Sequence, residues 1–142
     1  MANSTNTTPI KVDGLTKRYG KINVVDGVSF HVAEGEIFGL LGPNGAGKTT
    51  TMECLEGIRT PDAGDIRILG VDPHRNLAAL QQRIGVQLQQ AELQKRIKVW
   101  EAADLMARLY NTAVNWRELL EQLGLAEKLE TRFMNLSGGQ KQ

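Results

Sequence analysis

The stretch Gly42-Pro43-Asn44-Gly45-Ala46-Gly47-Lys48-Thr49 constrains this chain more than any other. It fits the pattern G-x-x-x-x-G-K-[ST]. The glycines let the backbone curl until successive N–H groups point inward and make a concave anion site. A helix starting where the loop ends adds its unpaired N–H groups and the positive end of its dipole. Lys48 can then reach the β and γ phosphates of a nucleotide. The Thr49 hydroxyl can ligate a Mg²⁺ that bridges the same oxygens, and Thr50 is placed for a further phosphate contact. From average residue usage the pattern arises by accident in roughly one chain in two hundred of this length. The flanks match the mechanism. Glu36 to Leu41 is nearly all apolar and predicts a strand buried on both faces, as in a parallel sheet. A helix is expected from near Lys48 to Gly57. A dinucleotide-binding reading is weaker: Gly45-Ala46-Gly47 begins G-x-G-x-x-G, but Thr50 holds the last position and a lysine stands in the turn.

The remaining chain surrounds this loop with short elements. Met1 to Pro9 is polar and is expected to be a disordered tail. It has neither the basic start nor the apolar core of a signal peptide. No apolar run approaches the roughly 20 residues of a membrane span, so a cytoplasmic protein is expected. The sequons at Asn3, Asn6 and Asn135 are then chance matches. Ile10–Leu15 and Val24–Val32 alternate apolar and polar residues, as half-buried strands do, with Gly20 and Lys21 in the turn between them. Pro61 to Gly64 predicts a turn, Asp65 to Leu69 a strand, Leu77 to Arg83 a short helix and Ile84 to Leu88 another apolar strand. From about Val99 to Arg132 the periodicity predicts helix throughout. Asn115 and Glu118 form a cap pair and Gly124 a stop. Trp100 and Trp116 are read as core, and so is Cys54.

Charge and composition remove other classes. With 17 basic and 16 acidic residues the net charge is +1, which argues against a nucleic-acid groove or an anionic membrane surface. The single cysteine and the separated His31 and His74 do not make a zinc site. The 15 glycines exceed the usual ~7% and cluster between Gly35 and Gly70 and again at Gly138–Gly139.

A phosphate loop alone leaves kinases, GTPases and motor-type ATPases open. Leu136-Ser137-Gly138-Gly139-Gln140 narrows the field, since average usage makes that string a chance event in only a few of every ten thousand such chains. Placed after a phosphate loop and a helical segment, it resembles the signature of ATP-binding cassette (ABC) ATPases. The resemblance runs from about Ile10 to Gln142. It implies an α/β P-loop NTPase fold of ABC type, with an N-terminal antiparallel β part, a P-loop core and a helical subdomain. Residues 10–97 would form the β and P-loop part, 98–136 the helical subdomain, and 136–142 the signature.

The resemblance also implies roles. ATP and Mg²⁺ would be the cofactors. Gly42, Pro43, Asn44, Gly45, Ala46, Gly47, Lys48, Thr49 and Thr50 would cradle the phosphates. Tyr19, otherwise an ordinary turn tyrosine, would stack on adenine. Gln89, with Gln87 and Gln90 as competitors, would be the Q-loop glutamine that contacts Mg²⁺ and the attacking water, alongside Thr49 as metal ligand. Ser137, Gly138, Gly139 and Gln140 would act in trans on the nucleotide of a second ATP-binding subunit, in a head-to-tail dimer. An integral membrane permease subunit would be the other partner, holding this chain at the inner face of the membrane; no nucleic acid is expected. The stretches Gly39–Thr51 and Glu53–Gly57 look like the ATP-binding subunits of bacterial drug and antibiotic exporters.

The chain departs from the family in lacking an apolar strand that ends in Asp-Glu, and His31 and His74 do not stand where a switch histidine would. The expectation is an incomplete domain without the later core strands. Glu36–Leu41 would lose its neighbours, and the 142 residues alone would not turn over ATP efficiently. Other readings are a non-transport ABC ATPase of translation or DNA, and a non-enzymatic nucleotide-binding module. The first is disfavoured by the missing basic patch and the unbroken helical segment. A GTPase is disfavoured because no Asn-Lys-x-Asp string occurs.

Overall fold

The computed structural model describes residues 8–87 and 93–141. These form two compact units, one up to Ile84 and one from Gly85. The division falls ahead of Lys98 because Lys95 and Ile97 pair with later residues: their carbonyls accept from the N–H groups of Met134 and Phe133 at 3.1 and 2.8 Å.

The first unit is built on a hairpin. β1 (Ile10–Tyr19) and β2 (Ile22–Val32) pair antiparallel around the Gly20-Lys21 turn, and β1 pairs on its other side with β3 (Ala63–Ile68), also antiparallel. The strand order is β2-β1-β3. Val12, Leu15, Val25, Ile66 and Ile68 are buried with Cys54, Leu55 and Leu80 in one core. Ile66 and Ile68 follow the alternation, whereas Val12 and Leu15, three apart, share the buried face because the β1–β2 register shifts between them. Burying a side chain of the Val or Leu class contributes about 1.5–3 kcal/mol. Cys54 and Leu55 come from α1 (Lys48–Leu55), Leu80 from α2 (Leu77–Gln81). Gly57, at φ +74, ends the run after α1, and an added Cβ there would lie 2.6 Å from Leu77 Cδ1. Pro9 is tied to the sheet, its carbonyl accepting from the Leu69 N–H at 2.7 Å.

Glu36–Leu41 is not a strand. It pairs with no strand among the described residues, and Ile37 and Leu41 are 100% and 92% exposed. An extended segment becomes a strand only where neighbours accept its backbone hydrogen bonds, and the antiparallel sheet does not reach it. Its one aromatic anchor is Phe38, stacked on Phe30 of β2 at 4.9 Å between ring centres. Ile84 to Gln87 likewise forms no strand, and the rest of that predicted element lies outside the described residues.

The second unit packs α3 (Val99–Ala107) against α4 (Trp116–Gln122), followed by two short 3₁₀ turns and α5 (Gly138–Lys141). Val99, Leu120 and Leu136 are buried, with Trp116, Leu125, Leu129 and Phe133 against them. The helical prediction from Val99 to Arg132 is corrected in two places: the chain leaves the helix after Ala107 and re-enters at Trp116, and it leaves again after Gln122, with only the 3₁₀ turn Ala126–Lys128 before Arg132. Asn115 explains the re-entry, since its side chain accepts from the Glu118 N–H at 3.4 Å and caps α4. No helix among the described residues is long and apolar enough to cross a membrane.

Candidate functional site

The phosphate loop folds as its glycines require. Gly45 and Gly47 have φ of +83° and +81°, a left-handed conformation that costs a residue with a side chain roughly 1–2 kcal/mol. Gly47 is buried against β2, where an added Cβ would run into the Val24 carbonyl oxygen and sit 3.2 Å from Val25 Cγ2. The close approach of loop to strand is therefore possible only with glycine. Gly47 is also the N-cap of α1 and offers no side chain to cap it. The first helical bond runs from the Thr51 N–H to the Gly47 carbonyl at 2.8 Å. The N–H groups of Lys48, Thr49 and Thr50 thus have no acceptor within the helix.

Lys48 spans the loop, its Nζ donating to the carbonyls of Gly42 and Pro43 at 2.6 and 2.7 Å. Thr49 is exposed, Thr50 half-buried, and Thr51 buried as the helix's anchor in the core. The loop and the first turn of α1 thus gather backbone N–H donors, one ammonium and hydroxyls, with no carboxylate on the stretch from Gly42 to Thr51. That donor set fits a polyphosphate. For Mg²⁺ it supplies one hydroxyl, Thr49, which suits an ion that keeps water and phosphate oxygens as its other ligands. Among the described residues no group of three His, Cys, Asp or Glu side chains could hold a metal without the phosphates.

Tyr19 closes β1 beside the turn of the hairpin and is 42% exposed. Two cations lie over its ring: the Arg59 guanidinium at 5.3 Å and the Lys17 ammonium at 6.0 Å from the centroid. Each is held by a carboxylate. Arg59 Nε donates to Glu53 Oε2 at 2.6 Å, and Lys17 Nζ lies 3.2 Å from Asp62 Oδ2. Asp62 also accepts from the Arg18 N–H at 2.6 Å, and that bond, with Lys17 beside it, holds its carboxyl below the usual range. These four partners carry no motif. Glu53 and Arg59 are six positions apart, and Arg59 lies past the end of α1, so helical spacing does not pair them. Cys54 fits its reading as a core residue, since burial pushes its thiol up and keeps it neutral.

The signature lies in the second unit. Leu136 is buried in that unit's core, while Ser137, Gly138, Gly139 and Gln140 are exposed. Ser137 and Gln140 bond reciprocally: the Ser137 N–H donates to Gln140 Oε1 at 3.0 Å and the Gln140 N–H to Ser137 Oγ at 3.3 Å. This is a capping box, a role for Gln140 that the sequence reading did not assign although the Ser-x-x-Gln spacing encodes it. Gln89 and Gln90 lie outside the described residues, and Gln87 is exposed.

The family model for ABC transporters matches residues 25–142, which include both the phosphate loop and the signature. The chain belongs to the ABC transporter family. Among curated ABC relatives, a Nod factor export ATP-binding protein I of Paraburkholderia xenovorans is 45% identical over 137 residues, covering 93% of this chain and 45% of the relative. A daunorubicin resistance ATP-binding protein of Streptomyces coeruleorubidus is 38% identical over 139 residues, covering 94% and 44%. A solved structure of the ATP binding subunit of an ABC transporter superposes with a TM-score of 0.83 at 28% identity, covering 94% of this chain and 58% of that one. The fold is thus that of an ABC-type P-loop NTPase, in part. The chain spans about half the length of the curated relatives it matches.

Proposed function

We propose that this chain is the ATP-binding part of an ABC exporter's ATPase subunit, coupling ATP binding and hydrolysis to transport through a separate membrane permease. The observation that carries the reading is the phosphate loop: a left-handed glycine turn pressed on β2, leading into an uncapped helix with Lys48 across the loop. Its backbone N–H groups and Lys48 would hold the β and γ phosphates, and Thr49 would ligate Mg²⁺ with Gln89. Tyr19 would take the adenine. Bound Mg²⁺ would neutralise charge on the phosphate oxygens. The names of the curated relatives, for Nod factor export and daunorubicin resistance, support an exporter over an importer. They also support a permease partner at the cytoplasmic face of the membrane. Ser137, Gly138 and Gly139 would act on the nucleotide of a second ATP-binding subunit, with Gln140 holding the serine in place. The exposed position of the signature supports that arrangement.

The test is calorimetric titration of the chain with MgATP. Lys48→Ala removes the only ammonium on the loop and is expected to abolish most of the binding. Unchanged affinity in that variant would overturn the assignment.

A further inference from the structure

Tyr19 carries a cation that is fixed to the phosphate-binding helix. Glu53 is on α1, the helix that begins at Lys48, and holds Arg59 through a 2.6 Å bond to Nε. Arg59 in turn places its guanidinium 5.3 Å from the centre of the Tyr19 ring. The Glu53 and Arg59 side chains are about one-third exposed, at 28% and 35%, so water does not fully screen the pair. A planar guanidinium over an aromatic face restrains the ring by stacking and by attraction to its π electrons, which a lone ammonium does less well. Lys17 lies farther away, at 6.0 Å, and answers to Asp62, the residue before β3, rather than to α1. With 42% of its surface open, Tyr19 keeps room for a base.

We propose that Arg59, anchored by Glu53, is a positioning residue that sets the Tyr19 ring relative to the phosphate-binding helix, so that a purine base stacks while its phosphates occupy the loop. The proposal rests on the reading of Tyr19 as the base platform. Arg59 is held by Glu53 over the Tyr19 ring and makes no bond to the phosphate loop among the described residues. Its contribution therefore belongs to the base and not to the triphosphate.

Calorimetry with MgATP and with magnesium tripolyphosphate, which has the phosphates and no base, separates the two. Arg59→Ala is expected to weaken ATP binding about two- to fivefold, the worth of an exposed cation–π contact, and to leave tripolyphosphate binding unchanged. Arg59→Lys should recover part of the loss. Adding Arg59→Ala to Tyr19→Ala should weaken ATP no further than Tyr19→Ala alone. Equal losses for ATP and tripolyphosphate, or additive losses in the double variant, would overturn the proposal. If Tyr19→Ala leaves ATP binding unchanged, the platform reading fails and takes this proposal with it. If Tyr19→Ala weakens ATP binding and Arg59→Ala does not, only the proposal fails. Glu53→Gln, which keeps the shape of the anchor and removes its charge, gives the same comparison should Arg59→Ala not fold.

Discussion

Gly47 does two jobs at one position, and both depend on the missing side chain. It turns the loop at φ +81° and lets the backbone lie on β2 at Val24. Gly47→Ala is expected to cost about 2 kcal/mol or more, from the left-handed conformation and the clash with a carbonyl that cannot yield cheaply. A lowered urea midpoint together with weaker ATP binding would bear this out; a midpoint within error of the parent would not. Asp62 sets a second expectation, in pH. The Arg18 N–H and Lys17 hold its folded-state carboxyl below its ordinary 3.8. A carboxyl with a depressed folded pKa stabilises the fold fully above its unfolded value, and that contribution fades as pH falls through the folded value. The stability gap between the parent and Asp62→Asn should thus be flat from about pH 7 to about pH 5 and narrow below about pH 4 in urea titrations. A gap that widens on acidification would contradict the sign.

At the scale of elements, α4 shows how a short helix is specified. Seven residues form few helical bonds, and an isolated helix that short is unstable in water. Its end groups count for more as a result. Asn115 accepts from the Glu118 N–H and its own amide donates to the Glu118 carboxylate at 3.3 Å, while Leu120 goes into the core. Asn115→Ala is expected to cost about 1 kcal/mol, and Asn115→Asp less, since it keeps the cap but replaces the donor to Glu118 with a second carboxylate, both measured by hydrogen exchange across Trp116–Gln122. α3 starts differently. The N–H groups of Val99 and Trp100 donate to the carbonyls of Thr131 and Leu129 at 3.0 and 3.1 Å, and the Lys98 N–H donates to Glu101. The Lys98-x-x-Glu101 half of that arrangement is local and readable from sequence. The half supplied by Leu129 and Thr131 comes from thirty residues away and carries no local signal.

Taken whole, the molecule has a core in each of its two units, one around Leu15 and Leu80 and one around Val99, Leu120 and Leu136. Leu80 is fully buried, so Leu80→Ala leaves a cavity and is expected to cost about 2–5 kcal/mol. Residue-resolved hydrogen exchange should show the loss of protection first in β1, β3 and α1, whose side chains line that core. Protection lost first in α3 and α4 instead would mean that the cores are wrongly drawn. The fold class and the hairpin could be read from the sequence at this scale. The pairing of β1 with β3 on its other edge could not, because that partner is chosen by register between segments more than forty residues apart.

What the sequence determined by itself is whatever depends on neighbours along the chain. The glycine turn into Lys48, the Gly20-Lys21 hairpin turn, the Asn115 cap and the Ser137–Gln140 box follow from a required φ or from spacings of three residues, and the family follows from two such local strings. Tertiary structure decided the rest. Glu36–Leu41 has the composition of a buried strand, yet a strand is a set of hydrogen bonds made by other segments, and the sheet β2-β1-β3 supplies none to it. The setting of Tyr19 is of the same kind. Its ring lies under Arg59 and Lys17 because Glu53 and Asp62 hold those cations there. Lys17 shares a face of β1 with Tyr19 by the two-residue period, but Arg59 over Tyr19 and Lys17 against Asp62 join residues that only the folded chain brings together.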